Sequence, residues 1–448
     1  MLYRVDCLIV GAGFSGLTIA ERLTTQQGKT CLIVEKRDHL GGNAYDKYDE
    51  VGVLIHTYGP HYFRTNAPRI VDYLSQFTEW HPVEYKILSY SDGRYWNFPI
   101  NLNTFEQFLG RPSTSEEMEA WIADHRVPIE NPANSEEVIV SQVGWELYEK
   151  FFKGYTLKQW RRHPKDLDAS VCGRIPIRTN RDDRYLREDF QAIPKAGYTA
   201  MFERMVAACG DKLEIMLNTE FRDILPQVSF KHLVYTGPID EYYDYCHGRL
   251  PYRSLRFEPE SFTPEQLANP STLNAHLSTE QPAPAGFFQP AMQVNYPNDE
   301  EFTRIVEIKH ATGQQCANTT IVREYPDDFG PGKEAYYPIP APDSAALYQK
   351  YKSLTEADPL PAHLSSMLRA PSSRLPTVHF IGRLATYRSY NMDQVVGMAL
   401  KEAEKIAALP DPSHHLSSAP SCRHHDPNSA TQAGFSERNQ SGIVKRAI

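Results

Sequence analysis

Two short apolar runs open the chain. Residues 3–10 end in Cys7-Leu8-Ile9-Val10, and residues 30–34 hold Cys31-Leu32-Ile33-Val34. Each reads as a buried strand. Between them Leu17, Ile19, Ala20 and Leu23 recur at helical spacing through about Thr25. This predicts a β-turn-α-β unit with parallel strands. Helical spacing returns at Ile70, Tyr73, Leu74 and Phe77, across 104–125 and 136–162, and over 198–209. A small helical domain is therefore expected at 103–163. Strands are expected within 213–236, ending at Thr236 before Gly237-Pro238. Short alternating runs at 252–258, 291–296, 303–310 and 319–325 predict an antiparallel sheet. Residues 259–290, rich in Pro, Ser, Thr and Asn, read as a long surface loop. Val378-His379-Phe380-Ile381-Gly382 reads as a strand leading to a helix over 392–408. Residues 411–448 are polar, with little periodicity, and are expected to form a disordered tail.

Composition narrows the class. The chain has 448 residues, a hydrophobic fraction of 41% and a charged fraction of 23%, which suits a soluble globular protein of two or three domains. A net charge of −9 argues against a broad nucleic-acid-binding face, though a local basic cleft is compatible with it. No apolar run approaches the length of a membrane span. A strand pattern that begins at Tyr3 leaves no room for a leader peptide. The seven cysteines include no CxxC pair, pointing to reduced thiols, a cytoplasmic location and no structural metal.

The first chemical signal is Gly11-Ala12-Gly13-Phe14-Ser15-Gly16 between the first strand and helix. This GxGxxG spacing permits a tight turn, close approach of a pyrophosphate and close packing of the helix. The helix N-terminus offers free N–H groups to phosphate. Glu35 follows 19 residues after Gly16, where a carboxylate can bind ribose hydroxyls. Arg37-Asp38-His39-Leu40-Gly41-Gly42-Asn43 then resembles the extended FAD fingerprint of amine-oxidase-like flavoproteins.

Further segments appear in a telling order: Tyr58-Gly59-Pro60-His61-Tyr62-Phe63, Phe152-Lys153-Gly154-Tyr155-Thr156-Leu157-Lys158-Gln159-Trp160, Arg174-Ile175-Pro176-Ile177-Arg178, Tyr235-Thr236-Gly237-Pro238, Tyr252-Arg253-Ser254-Leu255, Phe302-Thr303-Arg304-Ile305, Glu324-Tyr325 and Gly382-Arg383-Leu384. Over residues 3–408, apart from the loop at 259–290, the chain resembles the bacterial-type UDP-galactopyranose mutases. The resemblance implies interconversion of UDP-galactopyranose and UDP-galactofuranose on reduced FAD. In that family the flavin N5 attacks the anomeric carbon as UDP departs, giving a covalent flavin–sugar adduct whose sugar ring opens and recloses. It implies Arg174 and Arg304 as the clamp on the departing diphosphate, since guanidinium matches phosphate in bidentate geometry. It places His61 beside the flavin. Phe152, Tyr155, Thr156 and Trp160 match the uridine site, and Tyr185, Asn295 and Tyr325 match contacts to phosphate or sugar. Arg253 matches a further arginine near the site. For FAD it implies Gly11, Gly13, Phe14, Ser15, Gly16, Glu35, Lys36, Gly42, Asn43, His61, Tyr62, Gly237, Arg383, Tyr390, Asn391, Met392 and Asp393. An NAD(P)H or flavin reductant and a homodimer are further implications.

The resemblance has gaps. Where the family's terminal motif carries a phosphate-binding tyrosine and an acid, this chain has Ser389 and Asn391. Arg64 stands where many members carry a second histidine, and Tyr85 where some carry asparagine. A mutase for another nucleotide sugar, or an impaired FAD and nucleotide-sugar binding homologue, are therefore alternatives. A true FAD oxidoreductase would need no diphosphate clamp.

The expected architecture is α/β. A discontinuous FAD-binding Rossmann-like domain would gather 1–82, 191–241 and 326–410. The helical domain at 103–163 would be inserted, and 83–102, 164–190 and 242–325 would form an antiparallel-sheet substrate domain. A mobile loop is expected near 166–184.

Overall fold

The computed structural model describes residues 3–269, 282–368 and 375–409. The expected tail, 411–448, and part of the expected loop at 259–290 lie outside the described residues. A five-stranded parallel sheet runs in the order Leu213–Met216, Cys31–Val34, Cys7–Val10, His232–Tyr235, Thr377–Phe380. The crossover from Cys7–Val10 is the helix Phe14–Gln27, which packs on both Tyr198–Cys209 and Met392–Ala408. Three elements distant in sequence thus close over one face of the sheet. Ile9, Leu17, Ile19, Leu23, Phe202, Val396 and Ile406 are essentially dry there. Each such side chain contributes about 1.5–3 kcal/mol.

A second sheet of seven strands runs Tyr337–Pro338, Tyr252–Phe262, Thr319–Asp328, Arg304–Val306, Gln293–Asn295, Ile87–Ser91, Arg94–Phe98. It is antiparallel except where Gln293–Asn295 runs parallel to Ile87–Ser91. Two expectations change here. Tyr252–Phe262 continues well into the residues expected as loop, because all ten residues of Thr319–Asp328 pair with it. Tyr337–Pro338, expected within the FAD-binding segments, instead edges this sheet.

The helical region contains Leu102–Leu109, Ser115–His125 and Ser135–Tyr148, followed by a wider turn at Glu149–Lys153 and Gly154–Trp160. The single helix expected over 104–125 is split. Gly110 takes φ +69° as a left-handed C-cap, and Pro112 bars continuation. Asn101 begins the first piece by accepting from the N–H groups of Asn103 (2.8 Å) and Thr104 (3.2 Å). Within 303–310 only Arg304–Val306 is strand, and Lys309–Thr312 forms a helical turn.

Candidate functional site

Two cavities meet at the C-terminal edge of the parallel sheet, where ligands of open α/β folds bind. The first, of about 290 Å³, is lined by Gly11, Gly13, Phe14, Ser15, Glu35, Lys36, Gly42, Asn43, His61, Gly237, Arg383, Tyr390 and Met392. Glu35 accepts from the backbone N–H of Ala12 (2.8 Å) and Arg37 (3.0 Å). Its carboxylate is thereby aimed across the glycine turn, with lone pairs left for hydroxyl donors. The cavity is walled by backbone at the glycines and carries a carboxylate at Glu35, so its lining fits a dinucleotide of the FAD or NAD(P) class. Lys333 and Glu334 also line it, and Glu334 pairs with Arg37 (3.0 Å) and Lys36 (3.3 Å). Sequence reasoning missed this ion-paired wall. Its signal would have been an acid in a Gly-Pro-Gly-Lys segment facing the Lys36-Arg37 pair.

The second cavity, also about 290 Å³, is lined by His61, Phe152, Tyr155, Thr156, Trp160, Arg174, Tyr185, Asn295, Arg304 and Ser389. His61, Arg383, Tyr390 and Met392 line both cavities and mark the seam between them. The tract bearing Tyr155 and Trp160 is fixed by its other face. A Cβ on Gly154 would lie 2.5 Å from the Pro297 carbonyl oxygen, so only glycine allows that approach. Lys158 Nζ donates to the carbonyls of Tyr296, Glu300 (2.8 Å) and Phe302 (3.2 Å). Tyr155, Thr156, Gln159 and Trp160 of this helix then face the cleft, while Leu157 is exposed.

Sheet register builds the opposite wall. Glu324 pairs with Arg304, and Arg304 with Asn295, across three adjacent strands. Cross-strand partners share a face. Arg304 donates through Nε (2.9 Å) and Nη2 (2.6 Å) to Glu324 Oε2, while Nη1 lies 3.5 Å from Gln293 Oε1. Burial opposes the charge on Arg304, but Glu324 beside it holds its pKa well above the usual value. Arg383 is half-buried, desolvation lowers its pKa, and it has no carboxylate partner among the described residues. Arg174 is exposed on the cavity rim, also without an ion-pair partner among the described residues. Arg64 joins them, donating from Nη2 to Asn391 Oδ1 (3.0 Å) and pairing with Glu188 (3.1 Å). Among the described residues, four arginines line this cleft and no Asp or Glu does.

Several expected site residues fall elsewhere. Tyr325 follows Glu324, so strand alternation turns it to the other face. There it packs on Phe302 beneath Arg256. Arg253 is 2% exposed and lines neither cavity; it donates to Gln159 O (3.0 Å) and pairs with Asp328. Gly16 packs the helix against the turn rather than touching the cofactor cavity. Tyr62 belongs to the second cavity, stacked on Tyr85 with its hydroxyl donated to Val83 O. Asn391 also lines the second cavity, not the first. Asp393 lines neither, and its buried Oδ1 has no hydrogen-bond partner. Tyr337 takes the place expected for Tyr325: it lines the second cavity from the sheet edge. The Tyr336-Tyr337-Pro338 run was its signal, since proline favours an edge strand.

His56 and His61 are held neutral, burial lowering both to about 3. Their folded pKa values lie below the ordinary value of about 6.5. The unfolded chain therefore takes up protons first as pH falls. Stability should be full above about pH 6.5 and decline toward pH 3, by up to about 1.4 kcal/mol per pH unit for each ring. Urea midpoints at pH 7, 5.5 and 4.5 test this, and His61→Gln should flatten the decline.

Parallel sheet, glycine turn and seam together define a Rossmann-type dinucleotide-binding protein with an arginine-lined cleft beside the first cavity. Comparisons with known proteins agree. A model of NAD(P)-binding Rossmann-like domains matches residues 9–77, and the UDP-galactopyranose mutase model matches residues 150–389. The chain belongs to the UDP-galactopyranose mutase family, whose members are isomerases. It is 36% identical over 407 residues to a probable UDP-galactopyranose mutase of Klebsiella pneumoniae, covering 90% of this chain and 94% of that one. It is 30% identical over 409 residues to a dTDP-fucopyranose mutase of Escherichia coli, covering 90% and 97%. A crystal structure of reduced UDP-galactopyranose mutase shares the fold, with TM-score 0.65, 18% identity and coverage of 90% and 93%. Among the described residues no helix is long and apolar enough to cross a membrane.

Proposed function

We propose that the chain interconverts UDP-galactopyranose and UDP-galactofuranose on reduced FAD. One observation carries the reading: a cleft with four arginines and no carboxylate in its lining opens onto the dinucleotide cavity, in a chain of net charge −9. Such a cleft suits a nucleoside diphosphate. When bound, reduced FAD would supply a nucleophilic ring nitrogen, held by the residues that line the first cavity. The protein supplies binding, orientation and charge stabilisation. Phe152, Tyr155 and Trp160 give uracil an aromatic bed, with Thr156 beside it. Arg304 and Arg174 meet the diphosphate, whose negative charge grows as the sugar–oxygen bond breaks. Tyr185, Tyr337 and Asn295 donate to its oxygens or to sugar hydroxyls without adding charge. His61, held neutral, lines both cavities and would add no cation beside a bound flavin. An electron donor, NAD(P)H or a reduced flavin, is required. The test is FAD-loaded protein with dithionite and UDP-galactofuranose, followed by chromatography for the pyranose. Tight UDP binding without conversion would refute the reading.

The Arg64–Asn391–Glu188 corner favours a second reading within the same chemistry, a mutase for another nucleotide sugar. The relative described as a dTDP-fucopyranose mutase makes dTDP-fucose the natural second substrate to assay. Ser389 is exposed and also borders a neighbouring cavity of about 560 Å³, shared with Trp160, Arg174 and Tyr390, so a larger side chain has room. Ser389→Tyr would restore a phenol near the phosphates. A hydrogen bond to a charged group contributes ~1.5–3 kcal/mol, so turnover of UDP-galactose should rise about 10–100-fold. Parent-like rates in that variant would show that Ser389 is no deficit.

A further inference from the structure

Two buried groups behind the cleft have unmet hydrogen-bonding capacity, and they face the same small space. His56 is 4% exposed and Glu324 1%. His56 Nδ1 accepts from the backbone N–H of His61 at 3.0 Å. The ring proton of the neutral imidazole therefore sits on Nε2, and that N–H finds no partner among the described residues. Glu324 gives Oε2 to Arg304, and its Oε1 finds no partner either. Both side chains line one cavity of about 10 Å³, otherwise walled mainly by Phe257, Val306, Ile308 and Val322. That volume suits one water molecule, and the walls supply one donor and one acceptor.

We infer that this cavity holds a single structural water, accepting from His56 Nε2–H and donating to Glu324 Oε1, and that His56 is thereby a positioning residue for Arg304. The water inference stands on geometry alone; the positioning role rests on the proposed mutase reading. Fixed at both oxygens, the Glu324 carboxylate cannot rotate. Arg304 is then held through Nε and Nη2, with Nη1 directed to the cleft. The same imidazole takes the His61 N–H, so one ring sets both the cation facing the diphosphate and the chain segment at the seam. A carboxylate held at one oxygen only would let the guanidinium swing, blunting its response to charge developing on the leaving group.

A high-resolution crystal structure of the FAD-loaded protein should show one density peak within hydrogen-bonding distance of both atoms. His56→Phe keeps the ring but removes both nitrogens. His56→Gln can still accept from His61 N–H and donate to the water. In flavin-replete, folded protein, His56→Phe should lower kcat roughly tenfold with KM little changed, and His56→Gln should recover most of it. A merely structural role would lower the melting temperature while leaving kcat per loaded molecule intact. An absent peak, or kcat for His56→Phe within about twofold of the parent, overturns the inference. If the parent itself shows no mutase turnover, that reading fails by itself. The density peak and the Arg304 guanidinium in the His56→Phe crystal structure then still decide this one: an absent peak in the parent, or an Arg304 that keeps both bonds to Glu324 unmoved in His56→Phe, refutes it.

Discussion

Arg304→Ala should cost about 10²–10³-fold in turnover, the range found when one preorganised donor to a developing anion is removed. Arg304 is the cleft arginine whose geometry is most tightly set, with two of its nitrogens held by a carboxylate that is itself 1% exposed. That same burial complicates the experiment. Removing the guanidinium leaves Glu324 as an unpaired buried charge, which costs about 3–5 kcal/mol. A loss of activity could then reflect unfolding alone. Arg304→Ala combined with Glu324→Gln separates the two effects. Neutralising the stranded carboxylate should return much of the stability, read as the urea midpoint, while turnover stays low. A double variant that recovers turnover along with stability would move the diphosphate contact elsewhere, with Arg174 the first place to look.

Gly13→Ala and Gly16→Ala should fail in opposite ways. Gly16 packs the first helix against the turn. A Cβ there would lie 2.0 Å from Gly11 O and 3.1 Å from Ile9 Cγ2, so backbone must shift and the protein should be insoluble or destabilised by several kcal/mol, as over-packing of a dry core implies. Gly13 sits at φ −85°, ψ −171°, a conformation any residue adopts. The nearest protein atom to an added Cβ is 3.8 Å away, at Gly42 Cα. Gly13→Ala should therefore fold normally. Its methyl would instead occupy the cavity where a pyrophosphate must reach backbone. The expected product is a stable but colourless protein with at least about tenfold weaker FAD binding, a loss of ~1.4 kcal/mol or more. Visible absorbance of the purified variants, set against their thermal melts, reads both outcomes. A yellow Gly13→Ala protein would mean that the cofactor lies differently.

The parallel sheet was legible because its signals are local. Strand, glycine turn, helix, strand and acid all lie within residues 3–35, so no long-range register is needed to recognise them. The second wall of the site was less legible. Whether Tyr325 or its neighbours face the cleft depends on strand parity, and parity is known only once the Arg304–Glu324 register is known. Arg253 stands in a recognisable motif, but its partners, Gln159 and Asp328, come from 94 residues before and 75 residues after it. No spacing rule connects them. The helix Pro342–Ala357 went unseen because only Ser344 and Tyr351 of its 16 residues are buried, which leaves almost no apolar stripe to detect.

His61, Arg383, Tyr390 and Met392 form a party wall between two chambers. An occupant of either chamber presses on side chains that the other must also use. Loading one side should therefore alter affinity on the other, and linkage requires the effect to be equal in both directions. Nucleotide that grips more tightly in the flavin-filled protein must, by the same factor, slow the escape of flavin or speed its capture. Cofactor retention in such a molecule becomes a property of how much substrate surrounds it.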